Sequence, residues 1–359
     1  MNLGDGQKRA FIAAQYLSAG MGGICRLARL TAKAMLDFGF EMRAFAAEDK
    51  TEITDLCMPV RSFGGERLPF LLSCQWASVF HGRGIYDFAG TARVNLRFNK
   101  LGQPYAVWIN GIEVWEEFRR SRQRSLIGAH SLFANSDFTK NRALALHGDM
   151  FARARVCWLG TQDDDPGEVS PLRSNGPPTC LIVARMERGR DKGHEALISS
   201  WSRVVSVVPD ARLVIAGTGG QYEYFRGKAA ASSAAGNIDF LGFVSEADLA
   251  RLYAETTVFA MPSWGEGFGL VYIEAMRHRL PVIVSTHDAG QEINEDGVSG
   301  YNIDLRRPDE LAERLIALLK DRALADRLGQ QAFERWRTHF CYSRFRDRFR
   351  PLAMEFMRS

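Results

Sequence analysis

Two carboxylates set among glycines are the first residues here whose types and spacing could do chemistry. Pro262 to Met276 reads PSWGEGFGLVYIEAM, with Glu266 in a glycine-rich loop and Glu274 on the helix that the loop leads into. Gly265, Gly267 and Gly269 let a backbone approach a ligand closely. A helix start behind such a loop offers unpaired N–H groups and a partial positive charge, which suits a phosphate. Carboxylates beside it can accept hydrogen bonds from sugar hydroxyls or a ribose diol. On its own, the same pattern also suits an ordinary surface turn.

The elements that must position these residues follow a regular rhythm. Short apolar runs read as buried strands: Phe11–Tyr16, Met42–Ala46, Ala77–Phe80, Ala106–Ile109 and Leu132–Ala134, then Cys180–Ala184, Leu213–Ala216, Ile238–Leu241, Val258–Met261 and Val282–Val284. Between them, Gly23–Phe38, His194–Val207, Ala247–Ala254, Val271–Arg277 and Glu310–Leu319 carry helical patterns. Continuous apolar strands alternating with helices predict parallel sheets covered on both faces. Asp163–Pro178 (DDDPGEVSPLRSNGPP) has linker chemistry. The expected fold is therefore α/β with two domains, 1–162 and 179–335, joined by a 163–178 linker. Ligands bind beyond the carboxyl ends of such strands, so the two loop sets should face a central cleft. A last helix, 336–359, places Cys341, Phe345, Phe349, Leu352 and Phe356 on one side and arginines on the other. It is expected to pack back on the first domain; the competing expectation is a basic amphipathic element lying on a membrane.

Composition narrows the class. With 359 residues, 46% hydrophobic and 25% charged, the chain reads as globular rather than disordered. No window approaches a membrane span, and the polar start argues against a signal peptide. The six cysteines are scattered, which predicts reduced thiols and a cytoplasmic protein. Residues 1–160 hold 21 Lys and Arg against 14 Asp and Glu, so the first half is the basic one. That suggests an anionic partner there, either lipid or a phosphorylated substrate, with an ordinary solvated surface as the competing reading, and no nucleic-acid signature accompanies the charge.

The Pro262–Met276 segment resembles the Glu–seven residues–Glu signature of family 4 retaining glycosyltransferases, which have the GT-B fold of two Rossmann-like domains. CLIVARMERGRDKGHEALISSW, RLVIAGTGG, IDFLGFVSEADLARLYAETTVFAMPS and PVIVSTHDAGQEINEDGVSGYNID resemble the family's flanking segments in order. The resemblance implies that Arg185 and Lys192 grip a donor pyrophosphate, that Glu266 holds donor-sugar hydroxyls and that Glu274 holds the ribose. It also implies donor contacts from Gly217, from Phe243 and Val244 at the base, and from the backbone at Gly267, Phe268, Gly269 and Leu270. In the first half, Gly20–Gly23 looks like the glycine loop that approaches the donor phosphate, giving Gly22 and Gly23. WINGIEVWEEF resembles the family's His-Gly-x-Glu segment, with Asn110 where many members carry histidine. An amide there can hydrogen-bond but cannot take a proton as imidazole does.

The expected activity is metal-independent transfer of a hexose, with retention, from a GDP- or UDP-linked sugar to a glycan or lipid-linked glycan. No cofactor is expected beyond that co-substrate. Bacterial surface polysaccharide assembly is the setting the family suggests, at the inner face of a membrane or free in the cytoplasm. A sugar-nucleotide epimerase of the same layout and a non-catalytic nucleotide-binding subunit are the competing readings. Arg185 and Lys192 could instead pair with Glu187 and Asp191. His194–Glu195 lacks the second histidine of a zinc peptidase motif. Gly20-Met-Gly22 and Gly217-Thr-Gly219 lack the third glycine of a dinucleotide fingerprint. Asp163–Asp165 lies in the linker rather than in a metal-binding context. The run Arg119, Arg120, Arg122, Arg124 reads either as a solvated helix face or as a contact for lipid headgroups.

Overall fold

The computed structural model describes residues 9–95, 103–166, 176–189 and 191–359. Most of the 163–178 linker segment falls outside them. The chain divides into two units. The first comprises Met1–Asp163 together with Tyr342–Ser359, and the second Asp164–Cys341.

The first unit contains β1 (Arg9–Ala14), α1 (Gly23–Asp37), β2 (Glu41–Ala46), β3 (Val60–Ser62), α2 (Arg67–Phe80), β4 (Arg83–Tyr86), β5 (Tyr105–Ile109), α3 (Ile112–Trp115), α4 (Arg120–Ile127), β6 (Ser131–Ala134), α5 (Asp137–His147) and β7 (Arg155–Val156). Its seven strands are all parallel, in the order β3-β2-β1-β4-β5-β6-β7. β5 (YAVWI) is buried along its whole length, as a central strand covered on both faces must be. The expected strand at Ala77–Phe80 is instead the last turn of α2. Its buried Ala77 and Ser78 continue a helical face through Phe70 and Cys74. A four-residue apolar run cannot by itself distinguish the two.

The second unit contains β8 (Thr179–Val183), α6 (His194–Val207), β9 (Arg212–Ala216), α7 (Tyr222–Ala230), β10 (Ile238–Gly242), α8 (Glu246–Glu255), β11 (Val258–Ala260), α9 (Leu270–Arg277), β12 (Val282–Ser285), α10 (Gly290–Ile293), β13 (Gly300–Ile303), α11 (Pro308–Lys320) and α12 (Arg322–Arg335). The six parallel strands run β10-β9-β8-β11-β12-β13. Each sheet therefore reverses its strand order once, between β1 and β4 in the first and between β8 and β11 in the second. Loops leaving two such neighbours diverge to opposite faces and open a crevice at the carboxyl ends of the strands.

The expected helix over 336–359 is broken. A π-helical turn, Trp336–Phe340, closes with Cys341 N–H donating to the Trp336 carbonyl at 3.0 Å, and Cys341 is extended. Up to that point the segment packs in the second unit, where Phe340 meets Phe268 at 6.2 Å. From Tyr342, helix α13 (Tyr342–Arg358) belongs to the first unit. Phe349 lies 5.7 Å from Trp108 and 5.5 Å from Phe133, and Arg83 donates to the Phe356 carbonyl at 2.7 Å. The apolar face of α13 is thus consumed in a protein core. A continuous hydrophobic period cannot show that its two ends pack on different partners. Among the described residues, no helix is long and apolar enough to cross a membrane.

Candidate active site

The crevice of the second sheet is built by the loops after β8 and β11. Arg185 stands exposed two residues beyond the end of β8, and the loop runs on to Gly193, which caps α6. Gly193 has φ 95°, and a Cβ there would lie 2.6 Å from the Pro262 carbonyl oxygen. Only glycine lets this loop press against the one following β11. The two loops are laced further by Trp264 N–H donating to the Asp191 carbonyl at 3.2 Å. Asp191 is also held by a bond from Gly193 N–H at 2.8 Å, and burial raises its carboxyl above the usual range.

Close approach of the loops brings Lys192 onto Glu266. The ammonium donates to Glu266 Oε2 at 3.0 Å and to the Gly265 carbonyl at 2.8 Å. The two side chains are only 17% and 21% exposed. Glu266 Oε1 accepts from Gly267 N–H at 3.0 Å and from Phe268 N–H at 3.3 Å. Burial is the largest single influence on this carboxyl and would raise it. Lys192 and the two amides together overcome that influence and hold it below the ordinary value. The competing pairing of Lys192 with Asp191 is not the one found: Lys192 pairs with Glu266. The amides of Gly267 and Phe268 are bonded to Glu266. Gly269 closes the loop as the cap of α9 at φ 93°; a Cβ there would sit 2.2 Å from the Tyr272 ring and 3.2 Å from Glu266 Cγ. Leu270 then opens α9.

A buried carboxyl behind this loop was not anticipated. Asp288, fully buried, is hydrogen-bonded by the Ser263 hydroxyl and by Gly290 N–H. Ser285 donates to the Ser263 carbonyl at 2.6 Å, and Ala289 N–H donates to the Glu266 carbonyl at 3.1 Å. The loop after β12 therefore straps the Glu266 loop from below. Burial pushes the Asp288 carboxyl up to about 7, against Ser263 and Gly290, and the Glu266 charge adds to the rise. Only its place in the segment after the glutamate signature marked Asp288 in the sequence; nothing there revealed its burial.

The other expected donor residues lie on elements around this crevice. Glu274 is one turn into α9 and accepts from the Tyr253 hydroxyl of α8 at 3.4 Å. Gly217 follows β9, and its N–H donates to the Gly242 carbonyl at 2.7 Å. Phe243, 79% exposed, and Val244 line a shallow cavity of about 370 Å³ with Leu241, Asp248 and Arg251.

Comparison with known proteins fits this geometry. Residues 168–335 match the family model described as glycosyl transferases group 1. Residues 168–335 are a group 1 glycosyl transferase domain. A phosphatidyl-myo-inositol mannosyltransferase of Mycobacterium tuberculosis is 34% identical over 167 residues, which is 44% of this chain and 43% of that protein. A poly(glycerol-phosphate) alpha-glucosyltransferase of Bacillus subtilis is 28% identical over 156 residues, which is 43% of this chain and 23% of that protein. The matched stretch thus spans less than half the length of these curated relatives. The crystal structure of Anabaena HepE in complex with UDP and glucose superposes with a TM-score of 0.81 at 18% identity, covering 97% of this chain and 100% of HepE. The fold is the expected one of two Rossmann-like α/β units.

Outside the glycosyl transferase domain, the expected residues gather at the carboxyl end of the first sheet. Gly22, with φ 96°, caps α1, and Gly23 is its first residue. The preceding loop is anchored by Asp49, which accepts from Leu17 N–H at 2.6 Å, and by Arg29, which donates to the Leu17 carbonyl at 2.7 Å. Asn110 follows β5. Its side-chain amide donates to the Asp87 carbonyl at 2.7 Å, and its backbone N–H donates to Glu113 at 2.5 Å. Asp87 follows β4 at the point where strand order reverses. Its carboxylate accepts from Gln15 N–H and Thr91, and burial pushes it up to about 7. The Asn110 amide therefore ties the ends of β4 and β5 together. Sequence reasoning missed the buried Asp87.

Proposed function

We propose that this chain is a retaining, metal-independent hexosyltransferase that moves a hexose from a GDP- or UDP-linked sugar to a glycan or lipid-linked glycan, in the assembly of bacterial surface polysaccharide. The observation that carries the reading is the Lys192–Glu266 pair at the strand-order reversal of the glycosyl transferase domain, in front of the α9 start. Mannosyl and glucosyl transfer are what the names of two relatives state, and a hexose suits both.

In this reading Arg185 and Lys192 hold the diphosphate. The planar guanidinium fork and the movable ammonium suit two neighbouring phosphates. As the sugar–phosphate bond breaks, charge grows on the leaving oxygen, and Lys192 and the α9 start stabilise it. Attack comes from the face that the phosphate leaves, so the anomeric configuration is kept, and the leaving oxygen takes the acceptor's proton. Glu266 holds the sugar hydroxyls. To do so it exchanges part of its present bonding to Gly267 and Phe268 for the donor. Glu274 meets the ribose, Gly217 the phosphate side of the crevice, and Phe243 and Val244 the base. Gly22, Gly23 and Asn110 are the donor-contacting residues assigned to the first unit, with Asn110 acting as a hydrogen-bond donor rather than a base.

The test is a thermal-shift panel of GDP-, UDP-, ADP- and dTDP-sugars, because a matching donor stabilises by mass action. It is followed by turnover with that donor. Glu266→Gln turning over at the wild-type rate with saturating donor would refute the assignment.

A further inference from the structure

Helix α2 presents two apolar faces, and only one of them is covered. Phe70, Cys74, Ala77 and Ser78 pack into the first unit, where Phe70 meets Phe63 at 5.5 Å. Opposite them, Leu68, Leu72, Trp76, Val79 and Phe80 are 65%, 58%, 51%, 39% and 69% exposed. At 3.6 residues per turn these five fall within about a third of the helix circumference. A contiguous exposed apolar stripe on a surface helix marks an interaction site.

The chemistry around the stripe identifies the partner. Leu72 and Trp76 form one wall of an open groove of about 790 Å³ whose other wall carries Arg43, Val60 and Arg61. Among the described residues, no carboxylate lines that groove. The Arg61 guanidinium lies 5.0 Å over the Phe63 ring, which holds it in place. Arg67, exposed, begins the helix, and the nearby Glu41 is engaged by Arg9 at 3.0 Å. Protruding leucine, tryptophan and phenylalanine flanked by arginines match a layer of phosphates over hydrocarbon.

We propose that α2, with Arg43 and Arg61, seats the first unit on an anionic bilayer, the apolar stripe entering the headgroup region. This relocates the lipid contact expected from the sequence. The apolar face of α13 is buried, and α4, with its arginines, exposes only Ile127 as a large apolar side chain, while Arg122 donates to the Glu113 carbonyl. The proposal deepens the lipid-linked acceptor reading. Vesicle binding is read without any sugar nucleotide, so either can fail alone.

The test is co-sedimentation of the full chain with phosphatidylcholine vesicles, with and without phosphatidylglycerol. Wild type is expected to bind the anionic vesicles, more weakly as salt rises. The Leu72→Glu/Trp76→Glu variant is expected to bind at least about 10-fold more weakly, and the Arg43→Ser/Arg61→Ser variant to lose the anionic preference. Both pairs are exposed, so melting temperature should hold and serves as the control for folding. Equal sedimentation of wild type and the glutamate variant overturns the proposal. So does binding indifferent to phosphatidylglycerol, or a wild-type dimer in solution that the glutamate variant dissolves.

Discussion

Replacing Lys192 with Met removes the charge that holds Glu266 while keeping much of the side chain's bulk. At 3.0 Å, the gross attraction at an effective dielectric of about 20 is about 5 kcal/mol. Desolvation of two side chains that are four-fifths buried cancels most of it, leaving a net loss of about 1–3 kcal/mol. For a unit of this size the melting temperature should fall by about 3–10 °C. The sign of its pH dependence is the sharper test. In the wild type the Glu266 carboxyl is held below its ordinary 4.5, so the pair stabilises above that pH and is lost as pH falls through the depressed folded value. In the variant burial prevails and the carboxyl rises. The stability deficit should be full at pH 7 to 8 and shrink as melts are repeated down through pH 5 to 4. The Lys192→Met/Glu266→Gln double variant should lose less than the sum of the singles. Under the proposed function, Lys192→Met also loses about 10²–10³-fold in kcat. A deficit that stays constant from pH 8 to pH 4 would refute the reasoning, because the stability lost would then not come from this carboxylate.

Gly269→Ala forces a side chain into the Tyr272 ring at a positive φ; it should destabilise by about 1–3 kcal/mol and abolish donor-induced thermal shift. Asp288→Asn keeps the shape beside Ser263 but cannot ionise. Because the wild-type carboxyl is raised to about 7, wild type should lose stability as pH rises from 4 toward 8, and the variant's melting curve against pH should be flatter over that window. Phe243→Ala removes an exposed ring from the rim of the β10 cavity and should raise the donor Kd about 5- to 10-fold in a binding titration while leaving the melting temperature unchanged.

The second unit was legible because its signals are local. His194–Val207 is read from its apolar spacing and recovered as written, and the loops that carry Arg185 and Glu266 follow the two strands between which the order reverses. What escaped depends on contacts distant in sequence. The β4 segment, RGIY, is short and begins with a buried arginine, whose partner is the Phe356 carbonyl, 273 positions away. The end of α2 was read as a strand from its apolar run Ala77–Phe80, and that run could not show that half of the helix's apolar residues face outward. Nothing in the sequence set Asp87 and Asp288 apart as buried carboxyls. Their burial comes from backbone amides and hydroxyls that only the folded loops supply. The pairing of Lys192 turned on Gly193 fitting against Pro262, a packing relation between loops about 70 residues apart.

The return of α13 to the first unit has a consequence for how the molecule is made. A ribosome delivers residues 9 to 163 early, yet Phe345, Phe349 and Phe356, which pack inside that unit, emerge only after the entire second unit has been synthesised. Until then Trp108 and Phe133 lack their Phe349 neighbour, and the nascent first unit carries an open greasy seam that invites chaperones or self-association. Vectorial synthesis therefore cannot finish the two units in their order of appearance. A premature stop at Tyr342 would spare every second-unit residue of the candidate site and still leave the first unit without its final helix.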